Sequence, residues 1–185
     1  TDVVKIERGV AERIIEQFML TANEAVATLL TEQGIPCVYR VHDEPDTEKI
    51  SAFATFARNL GVDVSSLNPK NKITSMQLSK VLESSQKTGH FSIVSNVLLR
   101  SLMKAKYSSV PSAHFGLAAD LYCHFTSPIR RYPDLTVHRI IKALLDGKID
   151  EKTFEKYDNF AMLSAQLSTE NEIKAVSAER DIDDL

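Results

Sequence analysis

"HFTSPIRRYPDLTVHR", residues 124–139, places two adjacent arginines directly behind a serine–proline pair. Thr126 and Ser127 are both competent helix N-caps, and Pro128 falls where a first helical turn tolerates a missing N–H. The stretch therefore predicts a helix running from 127 to about 146 and closed by Gly147. Free backbone N–H groups and the positive dipole end of such a helix favour an anion, and Arg130 and Arg131 add guanidinium forks suited to phosphate oxygens. Arg130, Asp134 and His138 recur at every fourth position and share a face, with Arg131 about 100° around. A plainer reading stands beside this one: Asp134 pairs with Arg130, and the arginines are solvated surface without a function.

Upstream, Val10, Ile14, Phe18, Ala22, Ala25 and Leu29 keep helical spacing, and Ile15, Met19, Val26 and Leu30 widen the stripe. The spacing predicts a long helix over 3–33 with one wide buried face, stopped by Gly34 and Pro36. "PCVYRV", 36–41, reads as a short strand, and "HDEPD" after it as a turn. A second helix is predicted over about 46–60, burying Ile50, Phe53, Phe56 or Ala57, and Leu60. The segment 61–72 reads as a surface loop and not as a domain boundary. Helices over about 74–86 and 90–105 follow, then irregular chain with one or two short strands, and a final helix over about 151–182.

The chain has 185 residues, 43% of them hydrophobic and 25% charged, which fits one soluble domain able to bury a core. A net charge of −3 gives no global basic field and weighs against a coating, histone-like grip on nucleic acid, so any such contact must be local. Cys37 and Cys123 are too few and too far apart for a zinc ribbon or a disulfide framework, and reduced thiols in a cytoplasmic protein are expected. No apolar run approaches the ~20 residues needed to span a bilayer. Thr1 is not an initiator methionine, and "AERDIDDL" ends without a cap or proline, so the chain is expected to be part of something longer.

Other polar residues carry two readings each. Glu16 and Asn23 lie seven residues apart on one helix face, as do Glu172 and Glu179. The first pair suits a hydroxylated ligand such as a ribose, or else is the polar side of an amphipathic helix; the second pair is by default a charged solvent face. His42, Asp43 and His114 sit in predicted loops, where they either reach a ligand or serve turns and packing. The five histidines show no HExxH spacing, and no DxDxxxxD cluster, GxSxG elbow or glycine-rich phosphate loop occurs. From the residues alone the reading ends at an anion site on one helix.

"HFGLAADLYCHFTSPIRRYPDLTVHR", 114–139, resembles the signature of the ribonuclease II and ribonuclease R family of RNB-domain exoribonucleases, in a form closer to ribonuclease R. "IIEQFMLTANEAVA" (14–27), "YRVHDEPDTEKI" (39–50), "VLLRSLMKAKYS" (97–108) and "SAERDIDDL" (177–185) match in the family's order, so the resemblance covers nearly the whole chain. It implies an α+β, mostly helical fold, residues 1–185 being the C-terminal half of an RNB catalytic domain with a few short strands completing a sheet. It also implies a processive, hydrolytic 3′→5′ exoribonuclease that degrades single-stranded RNA from its 3′ end to nucleoside 5′-monophosphates.

By the same resemblance Arg130 contacts the scissile phosphate and Glu179 stands near the reaction centre. Glu16 contacts the terminal ribose, which favours RNA over DNA. Asn23 and Arg131 support them, and Ser127 and His114 join the RNA-binding set. The family's Mg²⁺-binding aspartates and base-stacking aromatics lie N-terminal to Thr1, with OB modules before them and an S1 module after Leu185. The stretch alone is therefore expected to be inactive, with no metal site of its own and no membrane partner. RNA-degradation or ribosome-associated assemblies are possible partners of the whole. The alternative is an RNB-like RNA-binding regulator without nuclease activity, which the residues upstream of Thr1 would decide.

Overall fold

The computed structural model describes residues 9–67 and 72–183. Expectations that touch residues 3–8, the 68–71 part of the loop and the last two residues of "SAERDIDDL" lie outside the described residues. The described residues form two compact units, one built from 9–40, 107–111 and 121–183, the other from 41–67, 72–106 and 112–120.

In the first unit α1 spans Val10–Glu32. Its stop is the expected one. Gly34 takes a φ of 64°, while Ile35 N–H donates to Leu30 O at 2.8 Å and Gly34 N–H to Thr31 O at 3.0 Å. These are the paired closing bonds that a glycine beyond the C-cap allows. The wide buried face expected along this helix forms only in its second half, where Asn23, Ala27 and Leu30 are buried. Val10, Ile14 and Ile15 are exposed, and Phe18 is 68% exposed. Periodicity shows that a face is apolar, but only a partner element decides whether it is covered.

The chain then enters β1, Tyr39–Val41, shorter than the strand read at 36–41, which forms a two-stranded sheet with β2, Lys106–Ser108. Helix α5 spans Tyr132–Leu145 and α6 Phe154–Asp183. They pack through Val137, Ile140 and Ala143 against Ala161 and Ala165, all buried, with Thr136 Oγ1 hydrogen-bonded to Ser164 Oγ at 2.7 Å. Small residues on α6 let the two helices approach closely. Gly147, at a φ of 64°, ends α5 as the sequence predicts. Cys37 and Cys123 are free and buried.

The start of α5 differs from expectation. Residues 128–130 form a turn, Arg131 is the N-cap and Pro133 occupies the first helical turn. Both Ser127–Pro128 and Arg131–Tyr132–Pro133 satisfy the rule that proline is tolerated early in a helix. The second wins because the Asp134 carboxylate takes the Ser127 N–H at 2.7 Å and closes the segment into a turn before the helix begins.

The second unit packs α2 (Thr47–Asn59), α3 (Ser75–Lys87) and α4 (Phe91–Ser101) around Ile50, Phe53, Ala57, Leu78, Val81, Val94 and Leu98. Burial of each large side chain there contributes about 1.5–3 kcal/mol. Asp46 caps α2 by accepting the Glu48 N–H at 2.7 Å. Thr74 and Gln77 cap α3 reciprocally as a capping box. Ile50, Phe53 and Ala57 are buried as predicted, and Phe56 and Leu60 only partly. Among the described residues, no helix is long and apolar enough to cross a membrane.

Candidate functional site

In the first unit the segment after β2 leads into residues 122–131, which are tied to α1 and α5 by buried polar side chains. Asn23, 2% exposed, is one tie. Its Nδ2 donates to Tyr122 Oη at 2.9 Å, and its Oδ1 accepts the backbone N–H groups of Phe125 at 2.9 Å and Thr126 at 3.3 Å. Cys123 Sγ reaches Asn23 O at 3.4 Å. Asn23 is thus a clamp between helix and loop.

Asp134 is the other tie, and its side chain is wholly buried. Its Oδ1 accepts from Ser127 N at 2.7 Å and Arg131 Nη2 at 2.8 Å, and its Oδ2 accepts from Arg131 Nε at 2.8 Å. The expectation that Asp134 pairs with Arg130 is corrected here. Residue 131 sits at the cap, outside the regular helix, and its side chain lies back along the first turn onto the carboxylate. The helix-start anion site at Ser127 is corrected with it, because that amide already serves Asp134 and the helix begins five residues later. His138 is turned elsewhere: its Nε2–H donates to Phe125 O at 2.8 Å, and its ring stacks on Phe125 at 4.1 Å.

Arg130 and its neighbour Ile129, 98% exposed, project from the turn. Among the described residues the Arg130 side chain has no hydrogen bond or ion pair. It lines an open cavity of about 620 Å³ with Arg131, Tyr107, Tyr132, Asn171 and Glu172. Glu172 is not the solvent-facing acid that its spacing suggested. Its oxygens accept from Arg40 Nη1 at 2.6 Å and Nη2 at 2.8 Å, and the Arg40 guanidinium lies over the Tyr107 ring at 4.5 Å. Of the two arginines that line this cavity, Arg131 is neutralised by a bidentate carboxylate, as is Arg40 by the lining Glu172, and Arg130 is left for an external anion.

A second cavity of about 600 Å³ is lined by Glu16, Asn23, Met19, Tyr122 and Arg131. Three residues chosen from the sequence therefore meet in one place, and Arg131 borders both cavities. Glu179 does not join either lining. It lies seven residues beyond Glu172 on exposed α6, a rise of about 10 Å along the helix. His114 belongs to the second unit, where its Nδ1 accepts Leu117 N–H at 3.2 Å and caps a 3₁₀ turn over Phe115–Leu117. In that unit His42 donates through Nε2 to Met103 O at 2.7 Å and accepts Gly116 N–H on Nδ1 at 3.1 Å, a structural role for a histidine read as either turn or ligand.

His124 is a residue that sequence reasoning passed over. Its Nδ1 is hydrogen-bonded to Tyr107 Oη at 3.0 Å. Burial, reinforced by the Arg131 charge, pushes its pKa down to about 4 from 6.5, so the ring is neutral at physiological pH. Arg40 and Tyr107 also went unread, although an arginine inside an apolar strand is a signal in its own right. No group of three or more His, Cys, Asp or Glu side chains able to hold a metal ion occurs among the described residues.

The RNB domain profile matches residues 1–147. The chain is 40% identical over 182 residues to ribonuclease R 1 of Lactococcus lactis, covering 98% of this chain and 22% of the relative. It is 40% identical over 183 residues to ribonuclease R of Thermotoga maritima, covering 98% of this chain and 25% of that one. The chain thus spans about a quarter of the length of the curated relatives it matches. The solved structure of Mycoplasma genitalium RNase R in complex with ribose-methylated single-stranded RNA superposes with a TM-score of 0.88 at 33% identity, over 97% of this chain and 28% of that one. By profile, sequence identity and fold, the chain belongs to the RNB domain family.

Proposed function

We propose that this chain is the phosphate-facing part of a catalytic RNB domain in a processive, hydrolytic 3′→5′ exoribonuclease that shortens single-stranded RNA to nucleoside 5′-monophosphates. The observation that carries the reading is the unpaired Arg130 guanidinium, exposed on a turn whose neighbouring Arg131 is held by a carboxylate. In that role Arg130 binds the scissile phosphate and balances the charge that develops as the bond breaks.

Glu16 takes the terminal ribose from the adjoining cavity, whose volume of about 600 Å³ suits a nucleotide. Asn23 and Arg131 hold the loop between the two. Ser127, through its hydroxyl, and His114 are proposed contacts for the RNA chain, and Glu179 approaches the reaction centre in the intact domain. Mg²⁺ is supplied by aspartates outside residues 1–185, so the stretch alone does not cut RNA. The parent works in the cytoplasm, where RNA-degradation or ribosome-associated assemblies are its proposed partners.

The test is a time course of the intact parent protein on 5′-labelled single-stranded RNA with Mg²⁺. Progressive shortening from the 3′ end is expected. RNA that is bound but never shortened would show instead an RNA-binding regulator.

A further inference from the structure

Adjacent arginines on one turn pose a selection problem, since either guanidinium can grip a phosphate. We infer that Asp134 is the positioning residue that solves it: it commits Arg131 to the fold and fixes the turn from which Arg130 reaches its ligand. The inference rests on the phosphate reading of Arg130 given above.

The geometry is specific. Arg131 is held along its Nε–Nη2 edge, at 2.8 Å for each bond, by a carboxylate that is wholly buried. Were Arg131 to leave, the wholly buried Asp134 carboxylate would be an uncompensated charge away from water, so the pair does not open to serve a ligand. The same carboxylate holds the Ser127 amide at 2.7 Å. Ser127 O in turn accepts the Arg130 and Arg131 amides at 3.3 and 3.2 Å. The turn is therefore closed on its inside by Asp134 and by its own backbone, and the Arg130 side chain is the cation that faces out. Asp134 touches no reacting atom; it acts through Arg130.

Asp134→Asn keeps the shape but places an NH₂ group against the N–H donors on one side, which frees Arg131 and loosens the turn. In the intact parent, Asp134→Asn should lower kcat on single-stranded RNA on the order of 100-fold, the scale of a small misplacement of a reacting group. KM should be little changed, because a released Arg131 still attracts phosphate. The decisive arm is a double-mutant cycle with Arg130→Ala. If Asp134 acts through Arg130, adding Asp134→Asn to Arg130→Ala should cost less than about a further threefold.

Full activity of Asp134→Asn, or losses that multiply in the double mutant, would overturn the inference while leaving Arg130 in its role. Wild-type turnover by Arg130→Ala would instead overturn the phosphate reading, and this inference with it. If Asp134→Asn does not fold, Arg131→Lys, which keeps the charge and loses the fork, takes its place in the cycle with the same expected outcomes.

Discussion

Replacing Asn23 by alanine removes the amide that joins α1 to the loop carrying the arginines. Three hydrogen bonds go with it: the donation to Tyr122 Oη at 2.9 Å and the bonds accepted from Phe125 N at 2.9 Å and Thr126 N at 3.3 Å. Each polar group stranded in a buried setting costs about 1–3 kcal/mol. The lower figure applies here, since the Thr126 bond is long and Phe125 and Thr126 are only partly buried. The three together amount to roughly 3 kcal/mol. Because about 1.4 kcal/mol is a factor of ten in an equilibrium constant, local opening of this region should become on the order of 100-fold more frequent. Hydrogen–deuterium exchange by mass spectrometry on the intact parent reads this directly. Peptides covering residues 22–30 and 122–131 should lose protection together, while those covering the α2–α4 helices should not. If the 22–30 amides exchange as in the wild type, α1 is not held by this clamp and the reasoning fails.

Three further outcomes follow from the same contacts. The pKa of His124 is about 4 when folded and 6.5 when exposed, so the unfolded chain takes up the proton first as pH falls. Stability should be full above 6.5 and decline by up to about 1.4 kcal/mol per pH unit toward pH 4, a dependence that His124→Gln should flatten in urea titrations. Glu172→Gln breaks the fork to Arg40, whose side chain is 14% exposed. With Glu172 itself 40% exposed, the loss should be only about 1–2 kcal/mol, seen as a lower denaturation midpoint. Among the described residues the buried Thr126 hydroxyl has no hydrogen-bond partner, so Thr126→Val should be neutral or stabilising by about 1 kcal/mol, and a clear loss would show that the hydroxyl is engaged.

Much of this fold could be read in the sequence because its signals are local. Gly34 and Gly147 end helices where they were expected to, and the α2 stripe of Ile50, Phe53 and Ala57 is buried. Three things were hidden, for physical reasons. The apolar first half of α1 has helical periodicity, yet periodicity carries no information about what lies against it. The start of α5 was ambiguous because two proline-bearing segments compete, and a carboxylate seven residues after Ser127 decides between them. The pairing of Asp134 was misassigned because spacings of three and four are both permitted on a helix, whereas Arg131 stands just outside it. Contacts such as Asn23 with Tyr122 or Arg40 with Glu172 join positions 99 and 132 residues apart, and no local pattern announces them. Arg130 was legible because its motif is short and dense, and its freedom became visible only once its neighbours were seen to be paired.

If the Arg130 guanidinium meets the phosphate being cleaved, chemical rescue should reveal it. Single-turnover shortening of 5′-labelled RNA by the intact parent carrying Arg130→Ala should be slower by about 100-fold or more, with RNA binding largely kept. Millimolar guanidinium ion should restore part of that rate and leave the wild type unaffected. Undiminished cleavage by Arg130→Ala would contradict the account.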